Sequence, residues 1–223
     1  MNRLLYIVPL LFAVVSARLA TSFWFEEGSS QVHDTSRDDV LERLTRSVDN
    51  DVPSESSNKY HLHETCRVAL QNQIDRELHA SLVYQQMAAH FENNKVARKG
   101  FAKFFMDNSN EERDHAQKLI SYINSRGGTI AAFRVSMPKD TTWASARAAL
   151  ESALELEIEV NNALHEVHGK AERDCTDPQL QDFLEANFLN EQVESIDNIH
   201  RLLATLNGMD QGLGEYLVNK DLQ

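Results

Sequence analysis

The chain has 223 residues and a formal net charge of −12, with 34 acidic against 22 basic side chains. That balance argues against a nucleic-acid partner, and an acidic surface suits cations. Two cysteines are too few for a small disulfide-stapled scaffold, and the chain has no Asn-x-Ser/Thr acceptor for N-glycosylation.

The chain opens with Arg3, an apolar stretch from Leu4 to Val15, and a small-residue end, Val15-Ser16-Ala17. This pattern predicts a secretory signal peptide over residues 1–17, cleaved after Ala17. Its apolar part, about 12 residues, is too short for the roughly 20 that span a bilayer. No other segment is apolar enough, so no membrane partner is expected. In residues 18–60, Asp, Ser, Glu and Arg dominate, and DVPSESSNKY has no periodicity. That composition predicts an acidic, flexible N-terminal extension. Residues 61–223 are left for one domain of ordinary size. It has Pro178 as its sole proline after Pro138 and is rich in Ala, Leu, Glu and Gln, which favours helix throughout.

The first helix is predicted from about His63 to Phe91. Leu70, Ile74, Ser81, Tyr84, Ala88 and Phe91 recur at steps of three, four or seven and share one face, and Glu77 falls on that face. The second runs from about Lys99 to Ser125. Phe101, Phe105, Leu119 and Ile123 mark its stripe, Glu112 and His115 sit in the middle of it, and Arg126-Gly127-Gly128 ends it. The next stretch, TIAAFRVSMPKDTT, lacks a period. Its roughly 14 residues reach about 45 Å when extended, and the helix before it is about 40 Å long. The connection can therefore run back along the whole bundle, so that the second and third helices are parallel. The third helix is predicted from about Thr142 to Lys170, with Glu157 among Ala146, Leu150, Leu154, Leu164 and Val167. Asp177 and Pro178 start the fourth. It continues to about Leu206 through Leu184, Phe188, Ile199 and Leu203, with Glu191-Gln192 inside. A short fifth helix is predicted from Gln211 to Lys220. The expected fold is all-α: a four-helix bundle with a long crossover between the second and third helices and a short fifth helix.

Each of the four long helices thus carries a carboxylate, imidazole or amide where apolar residues belong. A buried carboxylate is expensive unless it is paired or binds a metal. Glu112-Arg113-Asp114-His115 is an E-x-x-H motif, and residues three apart share a helix face. Two such helices with two more glutamate-bearing helices build a di-iron carboxylate site. Here one E-x-x-H is present, and the fourth helix supplies Glu191 and Gln192 instead, which leaves one iron with a weaker ligand set. Carboxylate and imidazole donors suit iron. Tyr84 is placed to donate a hydrogen bond to a ligand. Taken singly, an E-x-x-H is usually a solvated pair and a tyrosine at this position is usually core. The coincidence across four helices carries the reading.

The segments IDRELHASLVYQQM, FAKFFMDNSNEERDHAQKLISYINSRGG, ESALELEIEVNNALHEVHGKAERDCTDPQLQDFLEANFLNEQV and GLGEYLVNK resemble a heavy-type animal ferritin subunit. The likeness covers about residue 60 to the end, and NEERDHAQKL with FLNEQV is specific. The signal peptide makes the chain similar to secreted invertebrate ferritins. The resemblance implies a ferroxidase centre that oxidises Fe(II) with dioxygen. Glu77, Glu112 and His115 would form the first iron site, and Glu112 and Glu157 the second. Gln192 would complete the centre, with Tyr84 beside it. It also implies a shell of twenty-four subunits storing a ferric mineral, either a homopolymer or mixed with light-type chains. Asp182 and Glu185 would line the three-fold access channels, with His168 on the outer part of the path. Asp107, Glu111 and Asp114 would lie where mineral forms, and Leu213 and Leu217 near the four-fold axis. As a departure, Asp221 stands where vertebrate heavy chains have a histidine, and the extension has no counterpart in short cytosolic forms.

Cys66 and Cys175 are similar to cysteines that secreted insect ferritins use for disulfides. An oxidising compartment allows a bridge, and both positions lie near helix ends. At least one disulfide is expected, between subunits rather than within one. An iron carrier in mixed shells and a different di-iron oxidase are the competing functions. The latter would call for a second E-x-x-H or a rubredoxin-like cysteine set, and neither is present. A helical cytokine-like ligand shares the crossover but has no use for buried carboxylates.

Overall fold

A computed structural model describes residues 58–223. The expected signal peptide and nearly all of the expected extension lie outside the described residues. The helices are α1 (Glu64–Glu92), α2 (Lys99–Ser125), α3 (Ala146–Arg173), α4 (Pro178–Leu184), α5 (Asn190–Asn207) and α6 (Gln211–Asp221), with a π-helical turn, Glu185–Leu189, joining α4 to α5. Together α4, the π turn and α5 make the fourth rod of the bundle. Among the described residues, no helix is long and apolar enough to cross a membrane.

Each helix start has a local cause. His63 Nδ1 accepts from the Thr65 amide, and Glu64 suits the positive end of α1. The Ser145 hydroxyl accepts from Ala148, which fixes the start of α3 four residues later than the expected Thr142. Asp177 accepts from Leu180, and Pro178 occupies the first turn of α4. Helix α2 has no side-chain cap of its own. Asn219, on α6, caps it instead: its Oδ1 accepts from the Gly100 amide at 2.9 Å. A Cβ on Gly100 would stand 1.9 Å from the Asn219 carbonyl oxygen, so only glycine allows that approach. At the other end of α2, Gly127 takes φ +72°, the left-handed conformation that ends the helix.

The connection between α2 and α3 runs along α1. The Ala131 amide donates to Gln71, the Arg134 amide to Asp75, and His79 contacts the Ser136 carbonyl. Trp143 then packs edge-on against His90. The chain therefore travels from the start of α1 to its end before α3 begins, which makes α2 and α3 parallel as expected. Helix α6 returns to the start of α2 and is held there by the Arg98–Glu215 ion pair at 2.8 Å.

The core has two apolar parts. One holds Cys66, Leu70, Ile74, Leu119, Ile123, Leu164, Leu180 and Leu184. The other holds Tyr84, Phe91, Phe101, Phe105, Leu150, Ile199 and Leu203. Between them lies a layer of buried polar side chains: Glu77, Ser81, Ser109, Glu112, His115, Glu157 and Gln192. The π turn helps to complete that layer. In a regular α-helix, residues four apart drift by about 40° per step. The wider turn lets Leu180, Leu184, Phe188 and Gln192, all buried, keep facing inward.

Cys66 and Cys175 form a disulfide within the chain, with Cα atoms 6.4 Å apart. The expected bridge between subunits is therefore incorrect. The crossover puts the start of α1 and the α3–α4 turn at the same end of the bundle, where the two sulfurs meet. Both cysteines are buried, out of reach of a neighbouring chain.

Candidate metal centre

Glu77 comes from α1, Glu112 and His115 from α2, Glu157 from α3 and Gln192 from α5. One donor atom each from Glu77, Glu112 and His115 lies within 4.8 Å of the others. The Glu77 carboxylate accepts from Gln73 through Oε1 at 2.8 Å. Its Oε2, Oε2 of Glu112 and Nε2 of His115 are buried with no hydrogen-bond partner among the described residues. His115 Nδ1 stands 3.5 Å from Glu112 Oε2, and Nε2 stands 3.1 Å from Glu191 Oε2. The second distance allows ionic attraction, but the ring is not aligned for a hydrogen bond.

Glu157 forms the other half of the layer. Tyr84 donates its hydroxyl to Glu157 Oε1 at 2.5 Å, and the Gln192 amide donates to Glu157 Oε2 and to its carbonyl oxygen. Ser81 and Ser109 bond each other's carbonyls at 2.6 and 2.7 Å and draw α1 and α2 close beside the layer.

Burial dominates the electrostatics. It pushes the Glu77 carboxyl well above the usual range, and the charge of Glu112 adds to this. Burial, then the charge of Glu157, takes Glu112 to about 8. Glu157 is raised by burial, although the bonds from Tyr84 and Gln192 oppose the shift. Burial and the Glu157 charge hold the Tyr84 phenol well above its ordinary value, so it stays a donor. A cation reverses this logic: it would favour the ionised carboxylates and satisfy their orphaned oxygens. The donor set of hard oxygens with one imidazole fits a borderline or hard divalent metal such as ferrous iron.

The remaining expected residues fall into two surface groups. His168 Nε2 lies 2.7 Å from Glu185 Oε1, and both border a shallow pocket with Asp182. His165, one turn before His168, lines the same pocket and was missed in the sequence. A histidine three residues from another on one helix face was the available signal. Asp107, Glu111 and Asp114 line an open depression on α2 together with Glu191 and Lys118. Lys103 neutralises Asp107 at 3.0 Å. Leu213 and Leu217 are exposed on α6. Glu191 is the residue that sequence reasoning undervalued: it touches both His115 and the acidic depression.

Residues 68–209 match the family model for ferritin, described as a ferritin-like domain. The chain belongs to the ferritin family. It is 41% identical over 169 residues to the ferritin middle subunit of Salmo salar, covering 74% of this chain and 96% of the relative. It is 40% identical to the soma ferritin of Lymnaea stagnalis over 171 residues, covering 75% and 96%. It is also 40% identical to the ferritin heavy chain of Echinococcus granulosus over 163 residues, covering 73% and 94%. Its fold is the ferritin four-helix bundle with the short extra helix, and the Glu77–Glu112–His115 group is a place in that bundle that can hold a metal ion.

Proposed function

We propose that this chain is a secreted, ferroxidase-active ferritin subunit. It takes up Fe(II), oxidises it with dioxygen and stores the product as ferric mineral inside a shell of twenty-four subunits. The observation that carries this reading is the pair of orphaned carboxylate oxygens, Oε2 of Glu77 and Oε2 of Glu112, which lie beside the His115 imidazole at the centre of an otherwise well-packed bundle. Unpaired buried polar groups are costly and rare unless something binds them.

One ferrous ion is held by Glu77, Glu112 and His115, and a second by Glu112 and Glu157. Each ion would give up one electron, and dioxygen, taking both electrons and two protons from water, would leave as hydrogen peroxide. Tyr84 and Gln192 hold the Glu157 carboxylate in a fixed orientation, so less reorganisation is needed when the charge on the metal rises. His168, Asp182 and Glu185 attract ferrous ions on the access path, and Asp107, Glu111 and Asp114 receive ferric ions on the inner surface. The basic start, apolar run and Val15-Ser16-Ala17 end of residues 1–17 support secretion. The shell is a homopolymer or is mixed with light-type chains.

Stopped-flow Fe(II) oxidation at low iron per shell tests the centre. Glu112→Ala with His115→Ala is expected to abolish the rapid phase and leave the native mass of the assembly unchanged. An unchanged initial rate refutes the assignment. Asp182→Ala with Glu185→Ala is expected to slow uptake, reduce its salt dependence and leave the ligands in place. For compartment, N-terminal sequencing of the natural protein should find a start at Arg18 or within a few residues of it.

A further inference from the structure

Glu191 and Lys118 take no part in the ligand set above, yet they enclose His115. The Glu191 Oε2 atom lies 3.1 Å from His115 Nε2 and 3.6 Å from Lys118 Nζ. The Lys118 ammonium sits 5.9 Å above the Phe188 ring, and that ring meets the His115 imidazole edge-on at 5.4 Å. Three side chains from α2, the π turn and α5 therefore crowd one face and one nitrogen of His115. The other nitrogen, Nδ1, faces Glu112 at 3.5 Å, inside the group that can hold a cation.

An imidazole binds a metal through a lone pair, so its remaining nitrogen must carry the proton. A carboxylate accepting that proton sets the tautomer and the ring orientation and makes the ligating nitrogen more basic. Glu191 has the position for that task. It is half-buried between the Lys118 ammonium and the Glu111 carboxyl, whose own pKa is raised by burial and by Glu191, and it approaches Nε2 more closely than Glu112 approaches Nδ1.

We propose that Glu191 is a positioning residue for His115: it accepts the Nε2 proton, leaves Nδ1 free for the metal, and is itself held in place by Lys118. In the metal-free group the Nε2–Glu191 contact is short but off-line. Lys118 then acts through Glu191 and touches neither metal nor dioxygen. This inference rests on the metal-binding reading of the Glu77–Glu112–His115 group.

The test uses Co(II) as a probe on the assembled apoprotein, with binding followed by its visible absorption, and 15N-histidine labelling to read the tautomer. His115→Gln identifies the His115 ring signals by difference. The wild-type apoprotein is expected to show His115 protonated on Nε2 and to bind Co(II) at a site that His115→Gln perturbs. Glu191→Ala should weaken Co(II) binding about 10-fold, within the 10–100-fold range for removal of such a supporting carboxylate. It should also redistribute the His115 proton between the two nitrogens. Glu191→Gln, whose amide oxygen still accepts, should restore the tautomer and most of the affinity. Lys118→Met should give a smaller loss that Lys118→Arg reverses.

If wild type binds no Co(II) that His115→Gln perturbs, the metal-centre reading itself fails. If wild type binds but Glu191→Ala leaves both affinity and tautomer unchanged, the positioning role is overturned and the centre stands. If Glu191→Ala lowers Co(II) stoichiometry with the His115 tautomer unchanged, Glu191 is a ligand, which also overturns the proposal.

Discussion

Two buried polar clusters in this bundle have opposite characters. At the end of the bundle where α1 begins, Arg126 is surrounded by acceptors. Its guanidinium donates to the carbonyls of Lys59 and Tyr60, to Tyr122 and Gln179, and to Asp177 at 2.7 Å. The Cys66–Cys175 disulfide closes the same end. Halfway along the bundle, Glu77, Glu112 and His115 are more deeply buried than Arg126, and each has an atom without a partner. A satisfied network holds a fold together, whereas an unsatisfied one of like charges lowers stability until a ligand arrives. The same burial thus serves structure in one place and binding in the other. The contrast sets the sign of each substitution.

The largest effect is expected at the satisfied end. Arg126→Met removes five donations and leaves Asp177, whose side chain is only 11% exposed, without its cation. Breaking such a pair costs about 3–5 kcal/mol. Denaturant unfolding of the apoprotein measures it. A loss within experimental error would mean that the network is no tighter than a surface ion pair, and the contrast between the two clusters would collapse.

The disulfide should follow. It joins residues separated by 109 positions. Restricting a loop of that size in the unfolded chain is worth on the order of 2–5 kcal/mol. Cys66→Ser with Cys175→Ser should lower stability accordingly. Non-reducing gels of the wild type should show a monomer that runs faster than the reduced chain. A disulfide-linked dimer would contradict the pairing within one chain.

Much of this was legible in the sequence where local chemistry sets the outcome. The end of α2 follows from Arg126-Gly127-Gly128, and the start of the fourth rod follows from Asp177-Pro178. The polar residues on the buried stripes of all four rods did converge, because helix periodicity alone places them inward. The parts that were not legible depend on distances between elements. Nothing in EANFL announces a π turn, since it is imposed by the need to bury both Leu184 and Gln192. The cysteine pairing turns on a few ångströms of packing between α1 and the α3–α4 turn. Glu191 and Gln192 are neighbours about 100° apart around the helix, so the stripe names both, and only the packing shows that Gln192 is buried against Glu157 while half-buried Glu191 meets His115.

The smallest effect is the most diagnostic, because its sign is opposite. The Glu112 carboxyl is raised from an ordinary 4.5 to about 8 in the folded chain. The folded state therefore holds that proton more tightly than the unfolded state. The associated stability is fully present below about pH 4.5 and is lost as pH rises through about 8. Glu112→Gln stays neutral throughout and should remove this slope. The variant apoprotein is expected to match wild type near pH 5 and to exceed it at pH 8.5, where the wild-type carboxylate is ionised and unpaired. Thermal or denaturant unfolding across that range provides the comparison. Adding Co(II) should reverse the ranking, because the wild-type carboxylate then has a cation to neutralise it and the amide binds one poorly. A Glu112→Gln protein less stable than wild type at pH 8.5 without metal would show that Glu112 is already satisfied. The middle of the bundle would then be structural in the same sense as the Arg126 end.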